Sequence, residues 1–199
     1  MTEEPIEVIY YYQLKDPIAE QNISKTATDT VENLSDQITY NIAYNAKIKD
    51  YMGNVEVRLV DTLPYEIDES KSDLAGGVYD EETHILTWTE NIEGINTYDN
   101  PESGKINITK SIKVVYKGIN HETTNIENKV TGKVITKTPE KEFEEVEAKS
   151  NTQTNFLVSV PVSKVWEDDS DKLGQRPEKV VFKLHGSDGS EYTKELAKP

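Results

Sequence analysis

Apolar and polar residues alternate along most of this chain with a period of two. In QITYNIAYNA, Ile38, Tyr40, Ile42 and Tyr44 fall on one face, and Thr39, Asn41, Ala43 and Asn45 on the other. Alternation of this kind predicts half-buried strands. The same reading gives strands in NISKTATD, in NVEVRLVDTLP up to Pro64, in KINITKSIKVVYK and in NIENKVTGKVITK. GGVYDEETHILTW reads as a hairpin that turns around Asp80 to Thr83, with Leu86 and Trp88 facing in. The stretch from Asn91 to Gly104, rich in Asn, Gly and Pro, reads as a loop. No apolar run has a helical period. Short strands at this spacing, separated by turn signals, predict an all-β chain folded as a Greek-key, immunoglobulin-like β-sandwich.

The pattern also divides the chain. PIEVIYYYQLK is a strand from Ile6 to Leu14 with apolar residues on both faces, and Asp16-Pro17 ends it. Residues 1–18 therefore read as a leading strand and linker from a preceding module, and residues 19–155 as the sandwich. Between Thr138 and Asn155 the chain is charged and then polar, which suits an edge strand through Phe143 and Val146, or a linker. From Phe156 the alternation restarts in VSVPVSKVW. Residues 156–199 hold only about three strand candidates, too few to close a sandwich, so they read as an incomplete second one. The pattern stops at ELAKP inside an unfinished sheet, and the chain reads as a piece of a longer protein.

Composition narrows the function classes. A chain of 199 residues has room for one or two domains with a real core. Its net charge of -15 argues against nucleic acid and anionic membrane as partners, because phosphate recognition needs a basic stripe. Cysteine is absent, which excludes disulfides and thiolate metal sites. His84, His121 and His185 lie in three separate segments, so no histidine metal site is expected, and nothing calls for a cofactor. Glu167 to Asp171 is acidic but lacks the Gly and Glu of a calcium loop, and reads as solvated. Trp88 and Trp166 are in phase with core positions. Neither a signal peptide nor an apolar membrane span is visible.

Three polar residues break the apolar faces. Lys25 shares a face with Ile23 and Ala27, Asp61 with Val55, Val57 and Leu59, and Asn128 with Ile126 and Val130. Each alone is a costly buried polar group. Together they have a use. Desolvation favours a neutral, nucleophilic lysine and a protonated aspartic acid. That carboxyl group donates to the asparagine carbonyl and relays protons while the amine attacks. Ammonia leaves, and an amide joins two strands. Asn125 is the alternative acceptor. The plainer reading is a buried Lys25–Asp61 salt bridge. Lys110 also falls on an apolar face, at an expected bulge or sheet edge.

The run ISKTATD, ITYNIAY, VRLVDTLP, YDEETHILTW and NIENKV resembles the stalk domains of Gram-positive surface adhesins and pilins, of the CnaA-like, DUF11 type. The resemblance covers roughly Ala19 to Lys137. It implies a sandwich locked by a Lys25–Asn128 isopeptide bond, with Asp61 assisting. VSVPVSKVWEDDSDKLGQRPEKVVFKL is similar to the opening of a Cna B-type domain. That similarity makes Lys164 a reactive-lysine position without its acceptor. The family implies a stalk segment of an extracellular, cell-wall-anchored protein. Its partners would be neighbouring domains of the same protein, and host matrix or glycan. It would not be an enzyme beyond its single self-linking turnover. Two other readings stand beside it. An adhesive module would use the loop around Tyr98. An enzyme would need titratable groups converging on a cleft.

Overall fold

A computed structural model describes residues 15–156, 162–166, 174, 176–186, 189 and 191–197. The expected strand from Ile6 to Leu14 and the acidic run after Trp166 lie outside the described residues. The chain divides into two compact units, Met1–Leu157 and Val158–Pro199.

The first unit is a β-sandwich. One sheet has three strands in the order β1 (Ile18–Ala27), β3 (Ile38–Lys49) and β7 (Lys105–Val114). The other follows the order β2 (Thr30–Val31), β10 (Val146–Thr154), β8 (Asn125–Lys137), β4 (Met52–Thr62), β6 (Ile85–Asn96) and β5 (Val78–Asp80). A short β9 (Glu140–Glu142) pairs with β8. The chain passes from β1 to β2 in the other sheet and back to β3, then changes sheet again between β3 and β4, between β6 and β7, and between β7 and β8, the crossings of a Greek key.

The core lies between the sheets and follows the alternation. β3 buries Ile38, Tyr40, Ile42, Tyr44, Ala46 and Ile48 in phase. β4 contributes Val55, Val57 and Leu59, and β8 contributes Ile126, Val130 and Val134. Gln21 of β1 stitches the layers together. Its Oε1 accepts from the Tyr44 hydroxyl at 2.6 Å and from the Val134 amide at 2.9 Å.

Two stretches differ from their sequence reading. The first half of the expected loop from Asn91 to Gly104 belongs to β6, whose pairing with β4 runs from Thr62↔Ile85 to Met52↔Asn96 with one bulge at Gly53/Val55. Gly94, at φ 70°, lets the strand bend there with Asn and Gly in its sequence. The segment after Thr138 is not a linker but carries strands at the sheet's edge: β9 pairs with β8 alone, and Val146 of β10 pairs with Gly132 of β8 while β2 reaches just Gln153 and Thr154. Its second half is β10. It alternates too, but its inward positions are Ser150, Thr152 and Thr154, so hydropathy does not reveal them. Lys110 lies on β7, at the edge of its sheet in unbroken register, with its Nζ 2.6 Å from Glu90.

In the second unit, β11 (Lys179–His185) and β12 (Glu191–Ala197) form a two-stranded antiparallel sheet. Val181, Leu184, Tyr192 and Leu196 are exposed on it.

Candidate functional site

The sheet registers bring three strands to one point in the core. Lys25 on β1 pairs with Ile42 and points inward from the three-stranded sheet. Asp61 on β4 pairs with Val130 of β8, and Asn128 lies two residues from Val130 on that strand. Asp61 and Asn128 are thus diagonal neighbours on one inner face, the spacing at which longer side chains touch. Lys25 faces them from the opposite sheet.

Lys25 Nζ lies 2.5 Å from Asp61 Oδ2, and neither side chain has any exposed surface. The ring of Tyr40 lies beneath the amine, 4.8 Å from Nζ to its centroid. Burial pulls the Lys25 pKa down to about 8, although the Asp61 charge pulls the other way. Burial pushes Asp61 up, against the Lys25 charge and the Asn128 amide beside it. Both shifts favour the pair with a neutral amine and a protonated carboxyl group.

The rest of the cluster is polar and under-satisfied. Asn128 is 1% exposed, and neither its Oδ1 nor its Nδ2 has a hydrogen-bond partner. The second oxygen of Asp61 and the hydroxyls of Ser150 and Thr152 are also buried without partners. Ser150 is directly opposite Asn128 in the β8–β10 ladder. An unsatisfied buried group costs roughly 1–3 kcal/mol, so a folded core does not gather several without reason.

Asn125, the alternative acceptor, is exposed at the start of β8 and pairs with Gln153. Lys164 is exposed in the second unit, with its Nζ 5.0 Å from the centroid of the Trp166 ring. Arg176 shares that ring at 5.5 Å. Tyr98 is 47% exposed, and its hydroxyl donates to the Asp50 carbonyl at 2.9 Å. No group of three or more His, Asp or Glu among the described residues is placed to hold a metal ion. Sequence reasoning missed Ser150 and Thr152, which sit in a stretch read as edge or linker. The available signal was the alternation of hydroxyl and charged residues in VEAKSNTQT.

No protein-family model and no curated protein matches the chain. Among solved structures it is similar to the major pilin SpaD from Corynebacterium diphtheriae, at 18% identity and a TM-score of 0.42 over 66% of this chain and 34% of that one. It is similar to BcpA, the major pilin subunit of Bacillus cereus, at 15% identity and 0.42 over 68% and 40%. It is also similar to the C-terminal domain of the Streptococcus pyogenes antigen I/II-family protein AspA, at 16% identity and 0.39 over 64% and 42%. The chain thus spans less than half of each of these three.

Proposed function

We propose that the first unit is a load-bearing stalk segment of a bacterial surface protein, locked by an isopeptide bond between Lys25 and Asn128. The observation that carries this reading is the sealed cluster itself. A lysine and an aspartate in contact, beside an asparagine amide with no partner, support a reaction among the three. Holding reactants in this way can supply ~7–11 kcal/mol of a barrier. No diffusing substrate reaches a pair without exposed side-chain surface, so the chemistry available to it is on the chain itself.

The step balances as a transamidation. The neutral Lys25 amine attacks Cγ of Asn128, and the Nζ–Cγ bond forms. Asp61 donates to the carbonyl oxygen, takes the proton released by Nζ and returns one to the departing nitrogen. The Cγ–Nδ2 bond breaks and ammonia leaves. The product ties β1 to β8, and a crosslink between them lets force bypass the hydrogen bonds of the intervening strands.

Intact mass under denaturing conditions tests this. The wild-type chain is expected to lack the mass of one ammonia, and Lys25→Ala, Asp61→Ala and Asn128→Ala to show their full calculated masses. Folded wild-type protein of unreduced mass would sink the proposal and leave the buried salt bridge.

The rate of bond formation is expected to be bell-shaped in pH. The productive pair carries one proton, on Asp61. On the acid side, below the raised pKa of Asp61, a second proton holds Lys25 as ammonium. On the alkaline side, above about 8, the pair loses its last proton and the relay stops. Unreacted chain recovered in denaturant, diluted into buffers of set pH and quenched for mass measurement, gives the profile. A rate that keeps climbing well beyond the Lys25 pKa would exclude Asp61 as proton relay.

A further inference from the structure

β1 carries the Lys25 amine, yet its backbone ladder is with β3 alone, and its inner face does little to fix where along β3 it lies. That face holds Ala19, Gln21, Ile23, Lys25 and Ala27, with Ile23 the single large apolar residue among them. A slip of two residues keeps every side chain on its own face. It would carry the Lys25 amine ~7 Å along the sheet, out of reach of Asp61. Hydropathy therefore does not set the register of β1.

A side-chain amide is placed to do so. Along one edge, β8 pairs with β10 from Asn125 to Gly132 and with β9 from Ile135 to Lys137, which leaves a break in the pairing at Lys133 and Val134. Gln21 enters that break. Its Oε1 accepts from the Val134 amide at 2.9 Å, and its Nε2 donates to the Glu144 carbonyl at 3.0 Å. The Val134 carbonyl accepts from the Phe143 amide at 3.1 Å. The glutamine thus stands where a peptide group of a paired strand would, accepting on one side and donating on the other. From β3, the Tyr44 hydroxyl donates to the same Oε1 at 2.6 Å. The partners of Gln21 lie on β3, on β8 and between β9 and β10, and they converge on one point. Gln21 and Lys25 share a face of one strand, ~13 Å apart, so fixing the first fixes the second.

We propose that Gln21 is a positioning residue for the crosslink: its amide, seated in the break between β9 and β10, pins the register of β1 so that the Lys25 amine is aimed at Asp61 and Asn128 before they react. Gln21 itself makes and breaks no covalent bond and moves no proton. The inference rests on the Lys25–Asn128 reading and adds what aims its nucleophile.

The refolding assay separates aim from folding, because Trp88 is buried and its fluorescence reports closure of the core while mass reports the bond. Gln21→Met keeps the length of the side chain and loses the amide. It is expected to close its core and to form the bond on the order of 100-fold more slowly, the effect of a misplacement of about 1 Å. Gln21→Glu keeps an acceptor for Val134 and Tyr44 but turns a second oxygen toward the Glu144 carbonyl. Ionised, that carboxyl group repels the carbonyl; protonated, it donates to it again. Tyr44 keeps its proton throughout, because burial pushes its pKa up. The rate of Gln21→Glu, divided by that of wild type at the same pH, is therefore expected to climb toward one as pH falls through the pKa of the new carboxyl group. If folded Gln21→Met links as fast as wild type, the register is set elsewhere, the pin is wrong and the crosslink stands. A Gln21→Glu ratio that is flat in pH, whether or not Gln21→Met folds, makes Gln21 ordinary packing and also overturns the pin. If the wild type never loses ammonia, the crosslink and the pin fall together.

Discussion

Asp61→Ala is expected to bring the first unit close to unfolding, and to do so by two separable losses. The first is electrostatic. Lys25 would remain in the core with no counter-charge, and removing one partner of a buried pair costs ~3–5 kcal/mol. The second is covalent. Without Asp61 the proposed bond does not form, and the loop it closes spans 128 − 25 = 103 residues. By chain entropy a crosslink over ~100 residues is worth about 4–5 kcal/mol, taking the isopeptide to behave as a disulfide does. Domains are stable by only ~5–15 kcal/mol, so both losses together consume most of the margin. The double variant Lys25→Met, Asp61→Leu separates them. It also lacks the bond but leaves no charge in the core, and is expected to lose only the covalent part. Urea unfolding of the three proteins measures both. Equal stability of Asp61→Ala and the double variant would mean that Lys25 finds water or another partner when Asp61 is gone. A double variant as stable as wild type would remove the covalent contribution.

Gly132→Val is expected to cost about 3 kcal/mol, at the upper end of what overpacking a core does. Gly132 is opposite Leu59 in the β4–β8 ladder and faces the other sheet. A Cβ at this position would lie 2.8 Å from Cδ2 of Tyr44 and 2.9 Å from Cδ2 of Leu59. Tyr44 cannot swing aside cheaply, because its hydroxyl is held by Gln21. The glycine is the recess that receives this ring. Thermal unfolding should shift down by roughly 10 °C for a domain of this size. An unchanged midpoint would show that the Tyr44 ring has room to move.

Much of this was legible in the sequence, at the level where local rules act. A strand's two faces follow from backbone geometry, so parity alone puts Ile38, Tyr40, Ile42 and Tyr44 on one side of β3, and all four are buried. It likewise puts Lys25, Asp61 and Asn128 on apolar faces, and all three are buried. Parity fails where the inward residues are not apolar. Ser150, Thr152 and Thr154 of β10 are buried hydroxyl residues, and a hydropathy pattern passes over them. It fails again after β7, where Val114, Val115 and Tyr116 are buried in succession as the strand ends, so nothing local points to Tyr116.

The sequence by itself determined which residues face inward, because the face of a side chain is a property of its own strand. It therefore determined that a lysine, an aspartate and an asparagine would be buried. It did not determine that they meet. Lys25 and Asp61 are 36 residues apart, and their 2.5 Å contact depends on which strands pair, in which register, and how closely the two sheets approach. Only the tertiary structure decided those. Register places Asn128 diagonally from Asp61, and the packing of the two sheets brings Lys25 against Asp61. The pairing of β7 with β3 inside the three-stranded sheet puts the hydroxyls of Tyr40 and Tyr116 together, 76 residues apart in sequence. The reason is physical: burial follows from short-range geometry, whereas the approach of two buried groups is fixed by long-range packing, which no local pattern encodes.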